Sequence, residues 1–174
     1  MKLQRSPLFF NFYMIKINII CIGKIKDKFY ADAVSEYAKR LSAFCKFSVV
    51  ELAEEKIRGN NPNPSQIDEV ICAEGKRILQ KIGTGDYVIA MCIEGKLLSS
   101  KELSAVIDRA SLNGKSTVDF IIGGSYGLYD EVKKRADLNL SMSRMTFPHQ
   151  LARVILSEQI YRAFEILSNG KYHK

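Results

Sequence analysis

No apolar run in this chain approaches the roughly 18 residues that a membrane span requires, so nothing in it reads as a transmembrane helix. Tryptophan is absent, and histidine occurs only as His149 and His173. The cysteines, Cys21, Cys45, Cys72 and Cys92, form no C-x-x-C pair. That spacing speaks against a metal site and against a disulfide framework. Buried thiols in a reducing cytoplasm are the expected state. There is no internal repeat, linker or low-complexity tract.

What is present suits one domain with its own core. The 174 residues are 47% apolar and 26% charged, ordinary for a globular protein. Net charge is +7. This favours an acidic partner, nucleic acid ahead of membrane, and serves solubility equally well. Residues 1–13 have a basic start and some aromatics, but Lys16 interrupts the apolar stretch and no small-residue cleavage site follows. The folded domain is expected to span 14–174, opening at Met14, with 1–13 as an N-terminal extension.

Strand and helix signals alternate along the chain. Strands are expected over 15–22, 46–52, 87–93, 117–122 and 137–142. The first helix runs from Asp27 to about Leu41, with Phe29, Ala33, Tyr37 and Leu41 forming one buried face. Ser65-Gln-Ile-Asp68 reads as the cap of a second helix reaching about Ile82, and Ser99-Ser-Lys-Glu102 as the capping box of a third reaching about Leu112. A short helix follows over about 128–135. The last begins near Pro148 and ends at about Leu167, before Asn169-Gly170. Such alternation implies an α/β fold, a mostly parallel sheet with helices on both faces. Ligands in these sheets sit beyond the carboxyl ends of the strands. Ile93-Glu-Gly-Lys96, Gly123-Gly-Ser-Tyr-Gly127 and Ser143-Arg-Met-Thr-Phe147 would then share one rim.

Gly123, Gly124 and Gly127 lie between a strand and a helix. Glycines there admit close approach of a ligand to backbone amides, or simply serve a tight turn that needs positive φ. Their G-G-x-x-G spacing is not the dinucleotide fingerprint. Gly114-Lys-Ser116 is not a phosphate loop, because Arg109 stands where its first glycine belongs and a strand follows it. Arg162 has Glu158 four residues before it and Glu165 three after, so a surface ion pair is one reading of it. Arg153 reads similarly as a solvated helix residue, while Ala152, Leu156, Ile160, Ala163 and Leu167 read as core or a dimer seam. Tyr172, His173 and Lys174 set a ring, an imidazole and an ammonium side by side, able to stack on a base, move a proton and pair with phosphate, or merely to fray.

Gly-Gly-Ser-Tyr-Gly-Leu128, Met142-Ser-Arg-Met-Thr-Phe-Pro-His149, Gln159-Ile-Tyr-Arg-Ala-Phe164 and Tyr172-His-Lys174 stand in an order and spacing that resembles the ribosomal large-subunit methyltransferase H family, of the SPOUT class. The likeness spans Met14 to Lys174 and includes Ile-Cys-Ile-Gly-Lys24 and Ile93-Glu-Gly-Lys-Leu-Leu-Ser-Ser100. It implies methyl transfer from S-adenosylmethionine to N3 of a pseudouridine in 23S rRNA, in the cytoplasm. It also implies a C-terminal trefoil knot, a homodimer, and no metal. By matched position it implies cofactor contacts at Met91, Gly123, Met142, Ser143, Arg144, Met145, Thr146 and Phe147. Substrate and catalytic roles are implied at Arg162, Tyr172, His173 and Lys174. Leucine would be expected at position 91, and methionine fills a similar apolar volume. On this reading His173 assists loss of the N3 proton, and Arg162 holds phosphate or a carbonyl oxygen. The α/β pattern with a glycine turn also suits a nicotinamide-dependent oxidoreductase, although the fingerprint is missing. Basic charge alone would suit a non-catalytic ribosome-binding module.

Overall fold

The computed structural model describes residues 15–57 and 61–170. Its strands are β1 (Lys16–Ile22), β2 (Lys46–Leu52), β3 (Tyr87–Leu97), β4 (Thr117–Ile122) and β5 (Leu138–Ser141). Between and after them come α1 (Lys28–Leu41), α2 (Pro64–Leu79), α3 (Ser100–Leu112), α4 (Asp130–Arg135) and α5 (His149–Leu167). The strands form one sheet in the order β2-β1-β4-β3-β5, and every pairing is parallel.

The sheet separates two apolar layers, as a parallel sheet requires. Ile17, Ile19, Ile89, Val118 and Phe120 face α1, α3 and α5, which contribute Leu41, Ile107, Leu156 and Ile160. On the other side Ile20, Ile22, Val88, Ala90 and Ile121 meet Ile78 of α2 and Val132 of α4. Stacked Phe44 and Phe164, with ring centroids 5.9 Å apart, close the bottom of the first layer. Cys21 and Cys45 are buried in that layer. Burial pushes their thiols up to about 11 and about 12, respectively. Cys72 and Cys92 are only partly buried, against the expectation for all four.

Several local expectations shift on folding. The second helix is capped by Asn63, not Ser65: the Asn63 side chain accepts from the Gln66 amide, and the Gln66 side chain accepts from that of Asn63. Pro64 follows the cap, at a helix position where a missing N–H costs nothing, and the helix stops at Leu79. Ser99 and Glu102 form the capping box read from sequence. Strand β3 runs on to Leu97 because its pairing with β5 resumes beyond an irregularity between Met91 and Lys96. Phe29 does not join the buried face of α1. It is 65% exposed, whereas Leu41 is buried as expected, Ala33 and Tyr37 are half-buried, and Val34 joins the buried face.

Arg153 is the largest departure. It is fully buried rather than solvated. Its Nη2 donates to the carbonyls of Ile22 at 2.7 Å and Gly23 at 3.0 Å, and its Nη1 to Glu51 Oε1 at 3.1 Å. One guanidinium thereby ties α5 to the carboxyl ends of β1 and β2. Buried charge is tolerated only with such pairing. At the opposite end of the sheet Ser48 Oγ donates to Asn18 Oδ1 at 2.6 Å, and Asn18 Nδ2 to Asp119 Oδ1 at 2.7 Å. Asp119 is fully buried, and its Oδ2 has no donor among the described residues. Burial chiefly pushes its carboxyl up to about 6; the Asn18 bond opposes this and the neighbouring Asp86 charge adds to it.

Two outcomes are expected. Arg153→Met should cost about 3 kcal/mol in denaturant unfolding, because three hydrogen bonds go and Glu51 loses its counter-charge. Asp119 has a raised folded pKa, so its protonated form favours folding and stability falls as pH rises from the ordinary carboxylate range through about 6. Asp119→Asn should therefore melt higher than the unaltered chain at pH 8 and lose that advantage by pH 4, as read by calorimetry at both pH values.

Candidate functional site

The carboxyl ends of β3, β4 and β5 open into a cavity of about 770 Å³. One wall is the turn after β4. Gly127 has φ +97° and its amide donates to the Gly124 carbonyl at 3.1 Å. Gly123 and Gly124 do not have positive φ, and space is what demands glycine there. A Cβ on Gly123 would lie 2.5 Å from the Gly127 carbonyl oxygen, and one on Gly124 would lie 2.4 Å from Glu74 Oε2. Glu74 is buried behind this turn. Its Oε1 accepts from the Glu55 amide at 2.9 Å, and its Oε2 has no partner among the described residues. Burial accordingly raises its pKa.

The facing wall is the segment after β5. Ser141 Oγ donates to the Ser143 carbonyl at 2.9 Å, and the Met145 amide to Ser143 Oγ at 3.0 Å, which folds the strand exit back on itself. Gly95 lets the end of β3 press on β5, since a Cβ there would lie 2.7 Å from Leu140 N and C. Lys133 sits at the rim, 2.7 Å from Glu94 and 3.4 Å from Asp130. The Lys133 hydrogen bond lowers the Glu94 pKa and, reciprocally, raises that of Lys133. Burial raises that of Cys92, which lines the same cavity as a protonated thiol.

Of the residues singled out from sequence, Met91, Gly123, Met142, Ser143, Met145, Thr146 and Phe147 line this cavity together. Arg144 lies between them in sequence but is exposed and outside the cavity wall. Arg162 is also outside it, and donates to Glu158 Oε1 from Nε at 2.9 Å and Nη2 at 2.6 Å. Glu165 accepts from the Tyr161 hydroxyl at 2.9 Å. Tyr172, His173 and Lys174 lie outside the described residues. Asp68 and Ile71 of α2, Tyr126, Tyr129 and Ala152 also line the cavity and were not singled out. The tyrosines flank the glycine turn and were within reach of that motif. Nothing in the pattern of α2 distinguishes Asp68 or Ile71.

A parallel sheet with a glycine-walled crevice at its carboxyl edge is the architecture of an α/β protein that binds a small cofactor. The family profile described as predicted SPOUT methyltransferase matches residues 15–173. The chain belongs to the SPOUT methyltransferase family. Among curated proteins, it is 49% identical over 160 residues to the ribosomal RNA large subunit methyltransferase H of Lactiplantibacillus plantarum, covering 92% of this chain and 100% of that one. The proteins of the same name from Streptococcus uberis and Oenococcus oeni are 48% and 47% identical, with the same coverage.

Gly123→Ala should weaken S-adenosylmethionine binding about tenfold or more, because the added methyl meets the Gly127 backbone and has no room without moving the turn; Gly124→Ala, which meets only the Glu74 carboxylate, should weaken it less. Gly85→Ala, whose Cβ would meet nothing within 4 Å, should bind as the unaltered chain does. Calorimetric titration checks all three.

Proposed function

We propose that this protein transfers a methyl group from S-adenosylmethionine to N3 of a pseudouridine in 23S rRNA, working as a homodimer in the cytoplasm. The observation that carries the reading is the gathering of the glycine turn and the 142–147 segment around one cavity. About 770 Å³ accommodates a nucleoside cofactor with its amino-acid tail. Close relatives bear the name of a large-subunit rRNA methyltransferase over their whole length.

The cofactor, when bound, supplies an electrophilic methyl group. The chain's own residues do the rest. The glycine wall and the Met142–Phe147 segment hold the adenosyl part, and Met91 with Leu140 excludes water on the apolar side. Fixed placement of donor and acceptor supplies much of the rate. The acceptor N3 gives up its proton as the methyl arrives, and His173 receives it. Arg162 holds a phosphate or the pyrimidine carbonyl, with Glu158 orienting its guanidinium. Arg144, exposed beside the cavity, reaches the tail of the cofactor or the RNA. Ile93 at 57% and Met145 at 68% exposure give the cavity mouth an apolar margin that a second copy would cover. The reading includes the C-terminal trefoil knot expected of the family.

Mass mapping of 23S rRNA from cells lacking this protein should show one pseudouridine without its methyl group, restored by the unaltered gene. An unchanged map would refute the reading. Removing Tyr172–Lys174 should abolish methyl transfer to ribosomes while S-adenosylmethionine still binds. Loss of cofactor binding in that truncation would show that the tail belongs to the donor pocket instead.

A further inference from the structure

The loop joining β1 to α1 is held with unusual thoroughness for an exposed segment. The Gly23 amide donates to the Leu52 carbonyl at 2.8 Å, and Gly23 turns the chain with φ +80°. The Ile25 amide donates to Glu51 Oε1 at 2.8 Å. The amides of Lys26 and Asp27 both donate to Gln150 Oε1, at 2.7 and 3.2 Å, and Gln150 Nε2 returns a bond to Asp27 Oδ2 at 2.9 Å. Arg153 holds the carbonyls of Ile22 and Gly23. Side chains of α5 and β2 thus freeze the loop's backbone.

What this frozen backbone displays is outward. Lys24, Lys26 and Lys28 are all exposed. Of their acidic neighbours, Asp27 is tied back to Gln150, Asp32 pairs with Lys28 at 2.6 Å, and the Glu54 carboxylate lies beside Gly23. Phe29 stands 65% exposed, its ring centroid 4.2 Å from that of Tyr30. A large ring left in water beside ammonium groups on a rigid support matches a ligand with both phosphates and open base faces. RNA in loops and bulges has that chemistry. The position is also apt. Gln150 and Arg153 belong to the first turns of α5, directly after the Met142–Phe147 wall, so loop and donor cavity hang from one helix start.

We propose that the β1–α1 loop is a docking surface for ribosomal RNA, with Lys24 and Lys26 on phosphates and Phe29 stacked on a base. This rests on the rRNA reading above. The test uses the full-length chain, S-adenosylmethionine, and ribosomes from cells lacking this protein. Lys24→Gln/Lys26→Gln and Phe29→Ala should each raise the KM for ribosomes about tenfold, with kcat and cofactor affinity unchanged. The double variant should also show a salt dependence shallower by about two in log–log slope, and Lys24→Arg/Lys26→Arg should restore it. Variants with the KM and salt slope of the unaltered chain would overturn the docking surface while leaving the rRNA reading intact. If the unaltered chain itself methylates none of these ribosomes, the rRNA reading fails and the docking surface with it. A changed sedimentation coefficient for Phe29→Ala would show that the ring contacts a second copy, and would also overturn the proposal.

Discussion

One buried guanidinium sets the geometry on which the rest depends. Arg153 occupies the gap between α5 and the carboxyl ends of β1 and β2, where backbone carbonyls have run out of strand partners. A charge so placed is stable only if its acceptors are fixed, so it orders the ends of both strands as well as its own helix. Glu51 completes the arrangement by accepting from Arg153 and from the Ile25 amide at once. The start of α5, the segment leading into it from β5 and the β1–α1 loop thereby share one anchor. The cavity is lined by the start of this helix, by the segment leading into it and by the glycine turn.

That turn illustrates two reasons for glycine that a sequence does not distinguish. Gly127 is required by conformation, since its φ lies in the left-handed region. Gly123 and Gly124 are required by volume, because the Gly127 carbonyl and the Glu74 carboxyl occupy the space of a side chain. Glu74 accepts this position at the cost of one buried oxygen without a partner among the described residues. Strain and unmet polarity of this sort concentrate where a protein must hold a ligand against bare backbone.

Most elements were legible because local signals agreed with the global fold. The isoleucine-rich run of β1, the capping box at Ser99 and the Asn169 terminus all mean in the structure what they mean in the sequence. The failures share a cause. Phe29 falls in register with the apolar stripe of α1, yet it lies beyond the reach of the neighbouring helices. Arg153 looks like any helical arginine, yet its side chain points into the sheet edge. Asn63 displaced Ser65 as a cap because Gln66 could reciprocate.

The sequence by itself determined the alternation of strand and helix and the glycine turn, since these follow from periodicity and turn chemistry within short windows; the 142–147 wall was legible through likeness to a known family, except that Arg144 lies outside it. Tertiary structure alone decided that α2 would supply Asp68 and Ile71 to the cavity, that Arg153 would be buried and Phe29 exposed, and that the β1–α1 loop would be tied to the start of α5. Strand order is the physical reason. Placing β4 between β1 and β3 brings together chain ends that are remote in sequence, and no local pattern encodes which neighbour a strand will choose.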